Sequence, residues 1–281
     1  MKVAIVGSGI SGLTAAYRLS HSHEISVFES RDRLGGHTNS ISVNDSQLGN
    51  IAVDNGFIVY NERNYPLFRA LLDELHVPSQ NSQMSFGLKN QETGLEYAGS
   101  ALNSLFAQRR RLLQPSHYRF LLEILKFGRV AKEHLGTEGQ KTLGEFLTEM
   151  RFSEKFQQGY LLPMAGAIWS ASLDDIRQFP LRSFLTFFDN HGLLNLKERP
   201  QWKVICGGST SYIKAMLNKI QIRVRAGCPV EGVERNASGV RLLLADQSSE
   251  LFDQVILACH SDQALRLLVQ PSELEASVLG A

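Results

Sequence analysis

The residues whose types and spacing suit chemistry are Gly7, Gly9 and Gly12, in a G-x-G-x-x-G pattern, and the acid Glu29 further along. Together they suit the binding of a dinucleotide. Gly7 permits a tight turn, Gly9 lets backbone approach a pyrophosphate, and Gly12 lets a helix pack closely on a sheet. The N–H groups at the helix start, at Ile10 and Ser11, have no partner within the helix and face phosphate, with the helix dipole adding positive potential. Glu29 is placed to accept hydrogen bonds from a ribose, and its charge repels a 2′-phosphate, which argues against NADP. A glycine-rich turn without ligand is the plainer reading, and the surrounding elements weigh against it.

Those elements follow from the apolar pattern. Val3-Ala4-Ile5-Val6 reads as a buried parallel strand. Leu13, Ala15, Ala16 and Leu19 recur at helical spacing, and Ile25 to Phe28 is a second strand ending on Glu29. Strand, glycine turn, helix, strand and acid form the dinucleotide-binding βαβ unit.

The continuation, Ser30-Arg31-Asp32-Arg33-Leu34-Gly35-Gly36-His37-Thr38-Asn39-Ser40, resembles the R-x-G-G-R-x-x-S/T segment of the flavin-containing amine oxidase superfamily. That superfamily includes monoamine and polyamine oxidases, protoporphyrinogen oxidase and phytoene-type desaturases. The whole chain looks most like the bacterial group described as predicted NAD/FAD-binding, FAD-dependent amine-oxidase-like proteins. The resemblance implies FAD as cofactor, with Ser30 and Arg31 toward adenosine and Gly35 and Gly36 bringing amides to the pyrophosphate. Thr38 and His37 belong to the same implied set. His37 stands where the pattern has its second arginine, giving one donor in place of a charged fork. Gly56 and Phe57, in Asp54-Asn55-Gly56, are implied flavin neighbours; by themselves they read as a buried strand with a glycine bulge. Val230 is implied to touch adenine through its backbone, though alone it is an ordinary strand residue. An NAD-linked enzyme is a rival reading, against which Gly35-Gly36 argues.

Composition sets the frame. The chain has 281 residues, 43% hydrophobic and 20% charged, with formal net charge +1, so nothing overall calls for nucleic acid. The three cysteines, Cys206, Cys228 and Cys259, lack metal-ligand spacing, so no metal is expected, and the odd count fits a reduced, cytoplasmic protein. No stretch reaches the ~18 apolar residues of a membrane span.

The expected class is α/β: an FAD-binding Rossmann-like domain of amine-oxidase type with an inserted, mostly helical substrate domain. Residues 1–83 and 201–281 read as the FAD-binding part, and 84–200 as the insert. Within the insert, Tyr118 to Leu135, Leu143 to Met150 and Phe152 to Leu162 read as helices. Gly207-Gly208-Ser209-Thr210 opens a helix in the return segment, followed by an antiparallel meander and the buried run Gln254 to Cys259. Pro271 to Glu275 carries a capping box, Ser272 with Glu275. A superfamily G-D/E segment is not found after Ala258, so the chain is expected to lack roughly the last third of a family-length protein.

No hydrolytic triad or metal motif is visible, as suits chemistry carried by a cofactor. Trp169, Phe187 and His191 are the candidate substrate-pocket residues, with core packing the competing reading for the aromatics. The substrate expected from an apolar insert is small, hydrophobic or lipid-like, oxidised at a C–N or C–C bond by hydride transfer to FAD. A nucleotide-binding chain without turnover is the alternative. Arg109-Arg110-Arg111 with Arg119 and Lys126 forms a basic patch, read first as a solvated face and second as a peripheral membrane contact.

Overall fold

Strand β1 (Lys2–Val6) is apolar at consecutive positions because both its faces are covered. Val3 and Ile5 point to one side, into a cluster with Ile25, Val27 and Ala16 of the following helix, α1 (Ile10–Leu19). Ala4 and Val6 point to the other, into a cluster with Phe28, Val233, Leu242, Leu244 and Phe252. The two-residue period of the strand thus feeds two separate cores. In this computed structural model, residues 1–99, 102–136, 139–195 and 200–280 are described.

The chain divides into two compact units, one of Met1–Tyr60, Pro66–Asn81 and Lys203–Ala281, the other of Asn61–Tyr65 and Ser82–Trp202. At the centre of the first is a four-stranded parallel sheet in the order Arg223–Arg225, β2 (Glu24–Phe28), β1, Gln254–Leu257. All three pairings are parallel, with Val3 opposite both Ile25 and Gln254. Helix α1 covers one face and the antiparallel meander Val230–Asn236, Gly239–Leu244, Ser249–Phe252 covers the other. A third core joins α1 to the helices Pro66–Leu75 and Thr210–Asn218 through Leu13, Tyr17, Leu71, Leu72, Leu75, Tyr212, Ile213 and Met216.

After β2 the chain forms a hairpin, Ser40–Asp45 with Gly49–Asp54, in which Ser40 pairs Asp54. The strand stops at Asp54, before Gly56, and its residues are exposed or half-buried; a buried strand with a bulge is not what forms there. The terminal helix Glu273–Leu279 starts on the expected Ser272–Glu275 capping box.

The second unit is helical around one aromatic-rich core that includes Phe120, Phe127, Phe146, Phe156, Phe184 and Phe188. Its longest helix is Pro115–Glu133, followed by Leu143–Glu149, which starts on a Thr142–Glu145 capping box. The segment 152–162 is not one helix. A short turn, Glu154–Phe156, widens into a π-turn at Gln157–Leu161 before Leu162–Trp169 resumes.

Two members of the expected basic patch turn inward. Arg111 is 8% exposed and donates to the Gly94 carbonyl at 3.1 Å and to the Gln108 side chain. Lys126 donates to the Met150 carbonyl at 2.7 Å and lies over the Phe152 ring. Both cations satisfy backbone carbonyls inside the unit, which a count of sequence charges does not reveal.

Candidate nucleotide site

Helix α1 begins without a cap. Gly9 occupies the N-cap position, no side chain accepts from the first-turn amides, and the first turn has no acidic residue. The N–H groups of that turn are therefore open to an anion, and the helix dipole reinforces them. A Cβ built on Gly9 would meet nothing within 4 Å, so a cradle lies in front of the turn that a side chain would fill.

The flanking glycines act differently. Gly7 has φ +104°, and its Cβ would fall 2.5 Å from the Ala258 carbonyl oxygen. A Cβ on Gly12 would lie 2.0 Å from the Gly7 oxygen, so the helix rests on the turn with no room between. The pattern expected from the sequence is thus realised as two packing glycines around an open one.

Glu29, at the end of β2, is buried and reaches back to this turn. Its Oε2 accepts the Ser8 N–H at 3.0 Å and the Ser8 hydroxyl at 2.5 Å. Its Oε1 accepts the Arg31 N–H at 3.0 Å and the Ser30 hydroxyl at 3.3 Å. Burial pushes the carboxyl up, but the bonds from Ser8, Arg31 and Ser30 outweigh it and hold the pKa below its ordinary value. Glu29 is held as a carboxylate, the form that accepts from sugar hydroxyls.

The second glycine pair closes on the same turn. The Gly35 N–H donates to the Ser8 carbonyl at 3.0 Å, so it braces the turn and is not the free pyrophosphate donor expected of it, and a Cβ on Gly36 would approach the Gly9 Cα to 3.1 Å. Thr38 donates its N–H to the Gly35 carbonyl at 2.9 Å, while its hydroxyl bonds the buried Tyr212 hydroxyl. What Thr38 gives the site is therefore the closure of this turn. Gly56 packs on His37 so closely that a Cβ would sit 2.0 Å from the His37 oxygen, and the Phe57 N–H donates to that oxygen at 2.9 Å. The Cys228 and Gly227 N–H groups donate to the Glu29 and Arg31 carbonyls at 2.9 and 2.8 Å, and Val230, two residues on, packs on the cluster that contains Phe28. The structure thus assembles Gly7, Gly9, Ile10, Ser11, Gly12, Glu29, Ser30, Arg31, Gly35, Gly36, His37, Gly56, Phe57 and Val230 in one region of the first unit.

Three participants went unread. Ser8 occupies a variable position of the glycine pattern, so its type carries no signal. Arg33 has a buried Nη1 without a hydrogen-bond partner among the described residues, an orphan donor two residues before Gly35-Gly36. Its position in the Arg31-to-Gly36 run was the available clue. The exposed His260 ring lies 6.2 Å from the ring of His37, on the loop following the strand Gln254–Leu257. An uncapped helix start, an open glycine cradle and an unpaired guanidinium nitrogen fit an anionic diphosphate, and FAD is a dinucleotide of that kind.

Trp169, Phe187 and His191 belong to the second unit and form a group of their own. Trp169 and Phe187 lie 4.7 Å apart, and Phe187 stacks on His191 at 4.0 Å. His191 Nδ1–H donates to the Phe187 carbonyl at 2.9 Å, which leaves Nε2 as the acceptor nitrogen of the neutral ring. Trp169 and Phe187 pack as half-buried residues on the aromatic core.

The sequence matches the family model described as flavin containing amine oxidoreductase over residues 10–279. A solved putrescine oxidase bound to putrescine superposes with TM-score 0.70 at 19% identity, covering 100% of this chain and 63% of that one. Cyclohexylamine oxidase from Brevibacterium oxydans IH-35A gives TM-score 0.73 at 19% identity, covering 99% of this chain and 62% of that one. A 4,4'-diapophytoene desaturase (4,4'-diaponeurosporene-forming) of Staphylococcus aureus strain Newman is 43% identical over 42 residues, 15% of this chain and 8% of the desaturase. The chain therefore spans less than two thirds of these relatives. The two solved structures share the fold described above, an FAD-binding Rossmann-like domain with a mostly helical insert.

Proposed function

The chain belongs to the flavin containing amine oxidoreductase family, and from that premise we propose that it serves an FAD-dependent oxidation of a C–N or C–C bond in a hydrophobic small molecule. Bound FAD supplies the two-electron acceptor, and the protein supplies position and exclusion of water. The observation that carries this reading is the uncapped start of α1 facing the open space at Gly9. There the amides of the first turn and of Gly36 hold the diphosphate, while the Gly35 amide, spent on Ser8, ties the second glycine pair to the first. Glu29 orients the ribose, Arg31 and Val230 flank the adenosine end, and Gly56 and Phe57 flank the flavin end. His37 supplies one donor where a guanidinium would supply a charged fork.

Residues 1–83 and 201–281 carry the cofactor role, and 84–200 the substrate role. Trp169, Phe187 and His191 form an apolar wall with one polar nitrogen, which suits a hydrophobic substrate held by one orienting contact. The relatives named for putrescine, cyclohexylamine and diapophytoene bracket the class, and the apolar insert favours the lipid-like end. Among the described residues no helix is long and apolar enough to cross a membrane. Cys206, Cys228 and Cys259 are all unpaired, as suits a reducing compartment such as the cytoplasm.

The test is spectroscopic. The purified chain, supplied with FAD, is mixed anaerobically with an aliphatic amine or with an isoprenoid in detergent. Bleaching of the oxidised flavin band by either supports the reading and assigns the bond type. Flavin retained without bleaching by any member of the two series assigns cofactor binding without turnover.

A further inference from the structure

The outward face of the helix Pro115–Glu133 is apolar where a surface helix is ordinarily polar. Tyr118, Leu122 and Leu125 are 45%, 63% and 47% exposed and follow one another along a single stripe. The 3₁₀ turn before it, Arg109–Leu113, adds Leu112 at 44% and Leu113 at 88%. The Tyr118 hydroxyl donates to the Leu112 carbonyl at 2.9 Å, so this turn lies against the head of the stripe. The core does not need these side chains, because Phe120, Phe127, Val130 and Ala131 on the opposite face fill it. A contiguous exposed apolar patch of this kind marks an interaction surface.

Its charge says what it meets. Arg109, Arg110, Arg119 and Arg129 are exposed around the stripe, even with Arg111 and Lys126 turned inward. The acids of residues 103–133 are Glu123, which is 8% exposed and spent on the Ser153 amide and hydroxyl, and Glu133, exposed at the last position of the helix. This stretch therefore presents hydrocarbon and four exposed guanidinium groups against a single exposed carboxylate, Glu133, at the end of the helix. A second copy docking here about a two-fold axis would set arginines against arginines. A bilayer of anionic phospholipid offers the complement: acyl chains for the leucines and headgroup phosphates for the arginines.

We propose that this face docks peripherally on an anionic phospholipid membrane. Leu113, Leu122 and Leu125 enter the interface, and Arg110, Arg119 and Arg129 contact the phosphates. The proposal is independent of the redox reading, since it uses neither cofactor nor turnover.

The test is co-flotation of the purified chain with vesicles of phosphatidylcholine containing phosphatidylglycerol, against vesicles of phosphatidylcholine alone. Binding to the anionic vesicles should be about tenfold stronger and should weaken in high salt. Leu122→Asp with Leu125→Asp, and separately Arg110→Glu with Arg119→Glu, should each abolish it. Circular dichroism and the thermal midpoint should stay unchanged, since all four positions are exposed. Equal binding to both vesicles, or binding to neither, would overturn the proposal. So would a concentration-dependent dimer that Leu122→Asp dissolves without lipid, which would assign the face to a second copy.

Discussion

Ser8 donates its backbone N–H and its hydroxyl to the same oxygen of Glu29, at 3.0 and 2.5 Å. With the Arg31 amide and the Ser30 hydroxyl on the other oxygen, the acceptor places of the carboxylate are filled. Two of the four donors are amides fixed by the chain and two are hydroxyls on rotors. A bound ribose can replace the hydroxyls and leave the amides in place, an exchange of like for like. Glu29 is thus aligned before any ligand arrives.

Glu29→Gln should weaken both binding and folding. A glutamine brings its own NH₂ against the Ser8 or Arg31 amide, leaving a buried donor unmet at a cost of about 2 kcal/mol. The folded carboxyl lies below its ordinary value of 4.5, so its stabilising contribution is full above that pH and is lost as pH falls through the lower folded value. Urea unfolding across the acid range should show the wild type losing its advantage over Glu29→Gln as pH drops. Parallel curves for the two proteins would deny the linkage.

Gly12→Ala should act on the fold itself. The added methyl lies 2.0 Å from the Gly7 oxygen, so α1 must lift off its turn. A loss of about 3 kcal/mol in cofactor-free protein is expected, read from the denaturation midpoint.

Asp54 sits in the segment assigned by resemblance to the flavin's surroundings, yet its carboxylate accepts the Ser209 amide at 2.8 Å and the Ser40 hydroxyl at 2.6 Å. It caps the helix Thr210–Asn218 from a distant strand, where the residue at the N-cap itself provides no side-chain bond. Asp54→Ala should cost about 1–2 kcal/mol, the usual loss of a helix cap. Hydrogen exchange should quicken first at Ser209 and Thr210.

The last helix is tied to the meander by Arg235, which donates to both oxygens of Glu275 at 2.6 and 3.0 Å. That bond, with the Ser272 amide and hydroxyl, holds the Glu275 carboxyl at about 2. Its contribution is present above 4.5 and fades between 4.5 and about 2. The thermal midpoints of wild type and Arg235→Ala should therefore converge as pH falls through that window, and a constant gap would contradict the assignment.

The βαβ unit was legible because its signals are local. Apolar runs, glycine spacing and a terminal acid all fall within the first 29 residues, and parallel strands buried on both faces read as near-continuous apolar runs, interrupted in β2 by Ser26 alone among its buried positions before Glu29. The bonds that brace the site were not legible, because they join residues far apart. Asp54 meets Ser209 across 155 positions and Thr38 meets Tyr212 across 174, and no periodicity encodes such pairs. The inward turn of Arg111 and Lys126 was hidden for a related reason: a charged head can satisfy a buried carbonyl while its stem packs on hydrocarbon. The break in 152–162 had local signals: Gly159 lies in the π-turn, and Pro163 cannot donate to the Gly159 carbonyl, which takes the Tyr97 hydroxyl at 2.8 Å in its place.

The most direct test of the account is FAD titration of wild type and Gly9→Val, followed by quenching of flavin fluorescence, with circular dichroism as the control on folding. Gly9 has φ −65° and ψ 178°, a conformation open to any residue, and its Cβ position is empty. The valine variant should therefore keep the wild-type spectrum and lose FAD affinity by about a hundredfold or more, equal to some 2.7 kcal/mol. Undiminished FAD binding by a folded Gly9→Val protein would mean that the diphosphate does not lie at this turn, and would contradict the account.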